Sequence, residues 1–278
     1  MTIDEAAVAR HYGDAGLLAR IDGGLEAQGV DPDKPTIDDL APIDEFHIGG
    51  RTATEYALAM LVPQAGQHLL DVGCGIGGTA RLIASRYGCS VHGIDLTPEY
   101  IDVARVLTDR VGLGASVGFD VANALAMGLD DNTFDGAVTM HVAMNIADRE
   151  GLYGEIARVM KPGAMLCVYD LMKKGDEALV FPVPWAETAA TSHLITPDQT
   201  ATLLDGAGLD VTQTDDRTDA AIAFFQKLAS AADADAGTPT LGIHLLMGDT
   251  WREKIRNVTG NVENHRVSPV VMIANRRP

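Results

Sequence analysis

The stretch Leu70-Asp71-Val72-Gly73-Cys74-Gly75-Ile76-Gly77-Gly78 restricts the folds open to this chain more than any other. An apolar run leads into glycines with the G-x-G-x-x-G spacing, Gly73, Gly75 and Gly78. That pattern suits a buried strand that turns sharply into a helix whose N-terminus faces a ligand. In a dinucleotide site the ligand group is a pyrophosphate. Asp71 fits that group badly, because a carboxylate two residues before the first glycine repels phosphate and attracts a ligand carrying an ammonium group.

The elements around the turn alternate as in a parallel sheet covered on both faces. Strands are predicted at residues 68–72, 89–96, 116–120, 134–141 and 165–171, with helices at 78–86, 97–111 and 150–160 between them. Thr97-Pro98-Glu99 opens its helix with a capping residue, a proline at the first helical position and an acid where the helix dipole favours one. Lys161-Pro162-Gly163 reads as a helix stop. Residues 173–196, including Phe181-Pro182-Val183-Pro184-Trp185, form a connection long enough to be a lid or binding loop. Thr196-Pro197-Asp198-Gln199 is a capping box that starts the next helix. A strand at 209–213, helices at 219–232 and 241–258, and a last strand at 267–274 complete the pattern. The 231–239 stretch between those helices is low in complexity and reads as a surface loop. The fold class expected is α/β, a Rossmann-like, mostly parallel seven-stranded sheet. A helical cover over residues 1–55 precedes a main domain over 56–278 that carries the lid insertion.

Acidic residues outnumber basic ones, 39 to 21, for a formal charge of −18. This balance argues against nucleic acid or an anionic membrane as the main partner. The start has no basic region leading into an apolar one, and no apolar run nears the ~18 residues of a membrane helix, so a cytoplasmic location is expected. Cys74, Cys89 and Cys167 lack metal-ligand or redox spacing and are expected to be free core thiols.

Asp95 closes the second strand about 20 residues after the glycine turn, where a carboxylate accepts hydrogen bonds from ribose hydroxyls. Asp120-Val121-Ala122-Asn123-Ala124-Leu125 follows the third strand, where an adenine edge could be read. Asn123 offers both a donor and an acceptor there, or it is a plain turn residue. Together with Asp131-Asn132-Thr133-Phe134-Asp135 and Arg158-Val159-Met160-Lys161-Pro162-Gly163, these segments resemble class I S-adenosylmethionine-dependent methyltransferases over roughly residues 60–215. The resemblance implies S-adenosylmethionine as cofactor, S-adenosylhomocysteine as product and no metal. It assigns Asp71, Gly73, Cys74 and Gly75 to the methionine portion, Asp95 and Leu96 to the ribose, and Ala122, Asn123 and Ala124 to the adenine. Many relatives carry Asp where this chain has Asn123.

Asp44-Glu45-Phe46-His47-Ile48-Gly49-Gly50, Met140-His141-Val142-Ala143-Met144-Asn145-Ile146 and the Trp185 loop are similar to the small-molecule methyltransferases that include sarcosine and dimethylglycine N-methyltransferases. The resemblance implies a small-molecule acceptor, with an amine or amino-acid nitrogen first and a thiol or hydroxyl second, and it allows a homodimer. His141 and Asn145, just past the fourth strand, are the first candidates for the acceptor pocket, and His141 also borders the cofactor. His47, Trp185 and Tyr12 are candidates from the cover and lid. Each has a bland counterpart: His141 capping its strand, His47 fixing the cover, Trp185 anchoring its loop, Tyr12 only packing. Arg51 and Arg217 either meet a substrate carboxylate or sit in surface pairs. Two other readings stay open, an NAD(P)-dependent oxidoreductase and a binding module without turnover.

Overall fold

In the computed structural model, which describes residues 16–233 and 239–278, three helices lead into the sheet: α1 (Leu17–Ala27), α2 (Ile37–Asp44) and α3 (Gly50–Leu61). Then follow β1 (His68–Val72), α4 (Gly78–Tyr87), β2 (Ser90–Asp95), α5 (Pro98–Arg110), β3 (Val117–Val121), β4 (Phe134–Met140), α6 (Arg149–Val159) and β5 (Met160–Lys173). The chain continues through α7 (Pro197–Gly206), β6 (Leu209–Asp216), α8 (Thr218–Asp233), α9 (His244–Met247), α10 (Trp251–Glu263) and β7 (Val267–Arg276). The seven strands lie in the order β3-β2-β1-β4-β5-β7-β6. The first five are parallel, and β7 runs antiparallel to both β5 and β6. This is the Rossmann-like, mostly parallel seven-stranded sheet expected from the sequence. Its order reverses between β1 and β4, and the carboxyl ends of those two strands open the crevice in which such sheets bind ligands.

Alternate residues of the strands feed two cores, as a period of two requires. Leu70 and Val72 pack with Phe134, Leu152 and Ile156 on one face, while Leu69 packs with Leu58, Ile83 and Ile101 on the other. A further apolar cluster joins Leu17, Ile21, Leu40 and Ile43 of the first helices to Ile76 of the glycine turn and Tyr100 of α5. Helix α2 is also held by charge: Asp44 at its end pairs with Arg81 of α4, both side chains being fully buried. Helix α3 runs across position 55, so cover and main domain share a helix.

Three elements depart from the sequence pattern. Strand β5 starts at Met160, because Lys161-Pro162-Gly163 is accommodated as an irregularity between the Phe134–Met160 and Gly136–Met165 pairings. The segment expected to be one helix over 241–258 is two, since Gly248 takes φ 71°, ψ −165°, and α10 restarts at Trp251 and extends to Glu263. Thr97 precedes α5 as expected, but its side chain makes no capping bond; its backbone N–H is held instead by Asp95. Among the described residues, no helix is long and apolar enough to cross a membrane.

Candidate active site

The turn after β1 is tied to the end of β2. Backbone N–H groups of Gly73 and Cys74 both donate to the Ile94 carbonyl, at 2.8 and 3.0 Å. Gly75 N–H donates to Asp95 Oδ2 at 3.0 Å, and Thr97 N–H donates to Asp95 Oδ1 at 2.9 Å. One carboxylate thus fixes both the turn and the start of α5. Two of the glycines are needed for different reasons. A Cβ on Gly73, at φ 74°, would lie 2.3 Å from Val142 Cγ2, so this position needs glycine for close packing as well as for its left-handed backbone. A Cβ on Gly75, at φ 54°, meets no atom within 4 Å, because it points into open space.

That space is part of a cavity of about 460 Å³ that runs from the turn to the Trp185 loop. At the turn end stands Asp71, 2% exposed, with Oδ2 buried and lacking a hydrogen-bond partner. Burial, and then the Asp95 charge, push the Asp71 carboxyl up to about 7, with the Ala80 backbone hydrogen bond pulling the other way. Asp95 is also raised, chiefly by burial. Asp44 lines the same end, and burial lifts it to about 6 against the pull of Arg81.

At mid-cavity, His141 follows β4 with a left-handed φ of 55°, which turns its ring into the crevice mouth. Burial, helped by His47, holds this imidazole well below the ordinary histidine value, so it is neutral near pH 7, and its Nε2 is buried without a hydrogen-bond partner. The His47 and Tyr169 rings pack against it at tilted angles, with ring centroids 5.7 Å from His47 to His141 and 5.0 Å from Tyr169 to His141. His47 is itself anchored. Its Nε2 is 2.8 Å from Thr54 Oγ1 and 3.2 Å from Glu45 Oε2, and Arg51 Nε donates to Glu45 Oε1 at 2.5 Å. Burial opposes ionisation of Glu45, yet hydrogen bonds from His47, Thr54 and Arg51 outweigh it and leave its pKa at about 2.

Beyond His141 the lining turns apolar. Ile48, Leu171, Trp185, Phe225, Met247 and Val258 line it from the cover, β5, the loop, α8, α9 and α10. The indole N–H of Trp185 donates to Ser192 Oγ at 2.9 Å, so the loop anchors the ring while its carbon face meets the cavity.

Of the residues singled out from sequence, Asp71, Gly73, Cys74, Gly75, Asp95, Leu96, Ala122, Asn123, Ala124, His141, Asn145, His47 and Trp185 all line this one cavity. Tyr12 lies outside the described residues. Asn123 keeps its place, but its side-chain oxygen accepts from Leu125 N–H at 2.9 Å and closes a local turn. Arg51 binds Glu45, and Arg217 pairs with Asp215 and stacks on Tyr56, so neither lines the cavity. The three cysteines are free and buried. Sequence reasoning missed Glu45, Thr54, Tyr169 and Asp170. Asp170, 2% exposed, accepts from Met144 N–H at 3.0 Å and lies 3.6 Å from Arg149, which donates to the lid carbonyl of His193 at 2.9 Å. The signal for it was a lone acid inside an apolar strand.

The donor set at the turn fits a nucleoside that carries an amino acid. An orphaned buried carboxylate oxygen suits an ammonium group, the Gly75 opening leaves room for the ligand, and the lining near the turn holds carboxylates and no phosphate-binding cation among the described residues. Fold and site together define a nucleoside-binding α/β domain of the methyl-transfer type. Residues 70–168 match the family described as a methyltransferase domain. The chain is 32% identical over 184 residues, 65% of its length, to an O-methyltransferase of Pyrenophora dematioidea, and the match spans 66% of that protein. It is 31% identical over 191 residues to the methyltransferase GfsG of Streptomyces halstedii, covering 68% of this chain and 66% of that one. In fold it resembles a candidate sarcosine dimethylglycine methyltransferase from Galdieria sulphuraria, with a TM-score of 0.66, 18% identity, and coverage of 81% and 85% of the two chains. The chain carries a methyltransferase domain over residues 70–168, and its matched stretch spans just under two thirds of its first two relatives.

Proposed function

We propose that this protein transfers the methyl group of S-adenosylmethionine to a small-molecule acceptor held at the apolar end of the cavity. The observation that carries this reading is the continuity of the cavity, in which the unpartnered Asp71 oxygen lies at one end and an apolar chamber at the other, with His141 between. Asp71 would take the ammonium group, Asp95 the ribose hydroxyls, and the Ala122–Ala124 stretch would frame the base. Bound there, S-adenosylmethionine supplies a methyl group already activated on a sulfonium. The chain's remaining tasks are alignment, exclusion of water and removal of a proton. The apolar walls keep water from the acceptor, and His141, neutral with Nε2 unpaired, is placed to accept the acceptor's proton. His47, held by Glu45 and Thr54, packs against His141 and limits its movement.

The acceptor expected first from sequence was an amine or amino-acid nitrogen, with a thiol or hydroxyl second. Among the described lining residues there is no Lys or Arg to meet an amino-acid carboxylate, which favours the second. Free small molecules in the cytoplasm suit the acidic surface better than nucleic acid or membrane, and a homodimer is compatible with the same reading. Calorimetric titration with S-adenosylhomocysteine and with NAD tests the core of the proposal. Binding of the first and not the second is expected; tight binding of NAD alone would replace it with an oxidoreductase. A panel of amines, thiols and phenols followed by S-adenosylhomocysteine release then separates an enzyme from a binding module.

A further inference from the structure

We propose that the apolar chamber takes an uncharged, largely hydrocarbon acceptor, an aromatic or polycyclic phenol or alcohol, whose hydroxyl hydrogen-bonds to Nε2 of His141. This rests on the methyl-transfer reading and goes beyond it by assigning the chemical class of the acceptor.

Three observations carry it. The chamber beyond His141 is built by Leu171, Trp185, Phe225, Met247 and Val258, which come from five separate elements and form one apolar wall. Among the described residues, the carboxylates on the cavity lining lie elsewhere: Asp44, Asp71 and Asp95 at the turn, and Asp148 on the exposed rim, where its Oδ1 is bound by Gly151 N–H. An acceptor carrying either sign of charge would therefore lose its hydration in the chamber with no counter-ion among the described lining residues, which is strongly unfavourable. The boundary between chamber and turn holds a buried, unpartnered polar atom, His141 Nε2. A hydroxyl suits that atom because it can donate or accept, whichever ring nitrogen carries the proton. Trp185, its N–H already bound to Ser192, faces the chamber with carbon and can stack on a flat ring.

The test uses the full chain near pH 7 and three naphthalenes that share a ring and differ in charge: 2-naphthol, 2-naphthoate and 2-naphthylmethylammonium. Affinities are read from tryptophan fluorescence and calorimetry, with and without S-adenosylhomocysteine. Naphthol is expected to bind at least about tenfold more tightly than either ion; equal or tighter binding of an ion overturns the proposal. Met247→Lys is expected to raise naphthoate to at least the affinity of naphthol, and no gain counts against the chamber as the binding site. His141→Gly, which tolerates the left-handed backbone, should weaken naphthol about fivefold without weakening naphthalene. Equal losses for the two would remove the hydroxyl contact. Failure of S-adenosylhomocysteine to bind would overturn the methyl-transfer reading, whereas its binding with no preference among the three naphthalenes would overturn only the acceptor class.

Discussion

The two ends of the cavity are built on opposite plans. The turn end is local and polar: the loops after β1 and β2 bring Asp71, Gly75 and Asp95 together, and backbone hydrogen bonds hold them. The chamber end is distant and apolar, assembled from residues as far apart in sequence as Ile48 and Val258. The 70–168 family match includes Asp71, Gly75 and Asp95 of the turn end, though not Asp44, and stops before Leu171, Trp185, Phe225 and Val258. A shared donor demands one constellation of charges, while the acceptor chamber needs only a shape and an absence of water, which many sequences supply. The family match therefore covers the residues proposed to hold the methyl donor and leaves the far walls of the chamber outside it.

If the ends are independent, mutations should separate them. The largest effect is expected from Trp185→Ala, which empties a buried position at the chamber and should cost about 4 kcal/mol of stability in chemical denaturation. The affinity for S-adenosylhomocysteine, measured well below the unfolding transition, should hardly change; a parallel loss would show that the ends are coupled. Asp71→Asn is expected to cost about 3 kcal/mol of S-adenosylhomocysteine affinity by calorimetry, since it removes the charge facing the ammonium, while 2-naphthol binding stays as in the wild type. Asp95→Asn should cost about 2 kcal/mol of the same affinity, because both the ribose contact and the anchor of Gly75 weaken. Unchanged binding would return Asp95 to a purely structural role.

The smallest separation comes from pH alone. With Asp71 at about 7 in the free protein, the carboxyl is largely protonated at pH 6 and ionised at pH 8. An ammonium ligand binds the ionised form, lowers its pKa and releases a proton, so affinity rises with pH. The gain between those limits is about tenfold. Naphthol binding should be flat over the same range, and a flat profile for S-adenosylhomocysteine would remove Asp71 from the ammonium site. For folding the sign is opposite. A carboxyl raised in the native state favours folding while protonated, and that contribution is lost as pH climbs from the unfolded value of 3.8 through about 7.

The turn end was legible because its signals are short-range. Glycines at 73 and 75, an acid before them and an acid at the end of the next strand reflect backbone geometry that the local chain must satisfy. His141 stood out for a similar reason, since it follows β4 directly, and Asn145 ends the short turn just beyond it. The Glu45–His47–Thr54–Arg51 network was only half visible: His47 stood out by type, but its partner acid looked like any surface glutamate until folding buried it. Asn123 looked like a base-reading amide, yet the turn it closes with Leu125 claims its oxygen. The break at Gly248 was hidden because apolar residues on both sides kept a helical spacing, and its backbone, with ψ near −165°, was not encoded in that spacing.

By itself, the sequence determined the order of the strands and of the helices that cross between them, and it brought Asp71, Gly75 and Asp95 to the crevice with the negative charge they carry there. These depend on neighbours a few residues apart and on glycines that only certain backbone angles require. Tertiary structure alone decided that the apolar residues of α8, α9, α10 and the Trp185 loop face one another across a space next to His141. A hydrophobic residue carries the same pattern whether it fills a core or walls a chamber, and only the packing of distant segments leaves that space open.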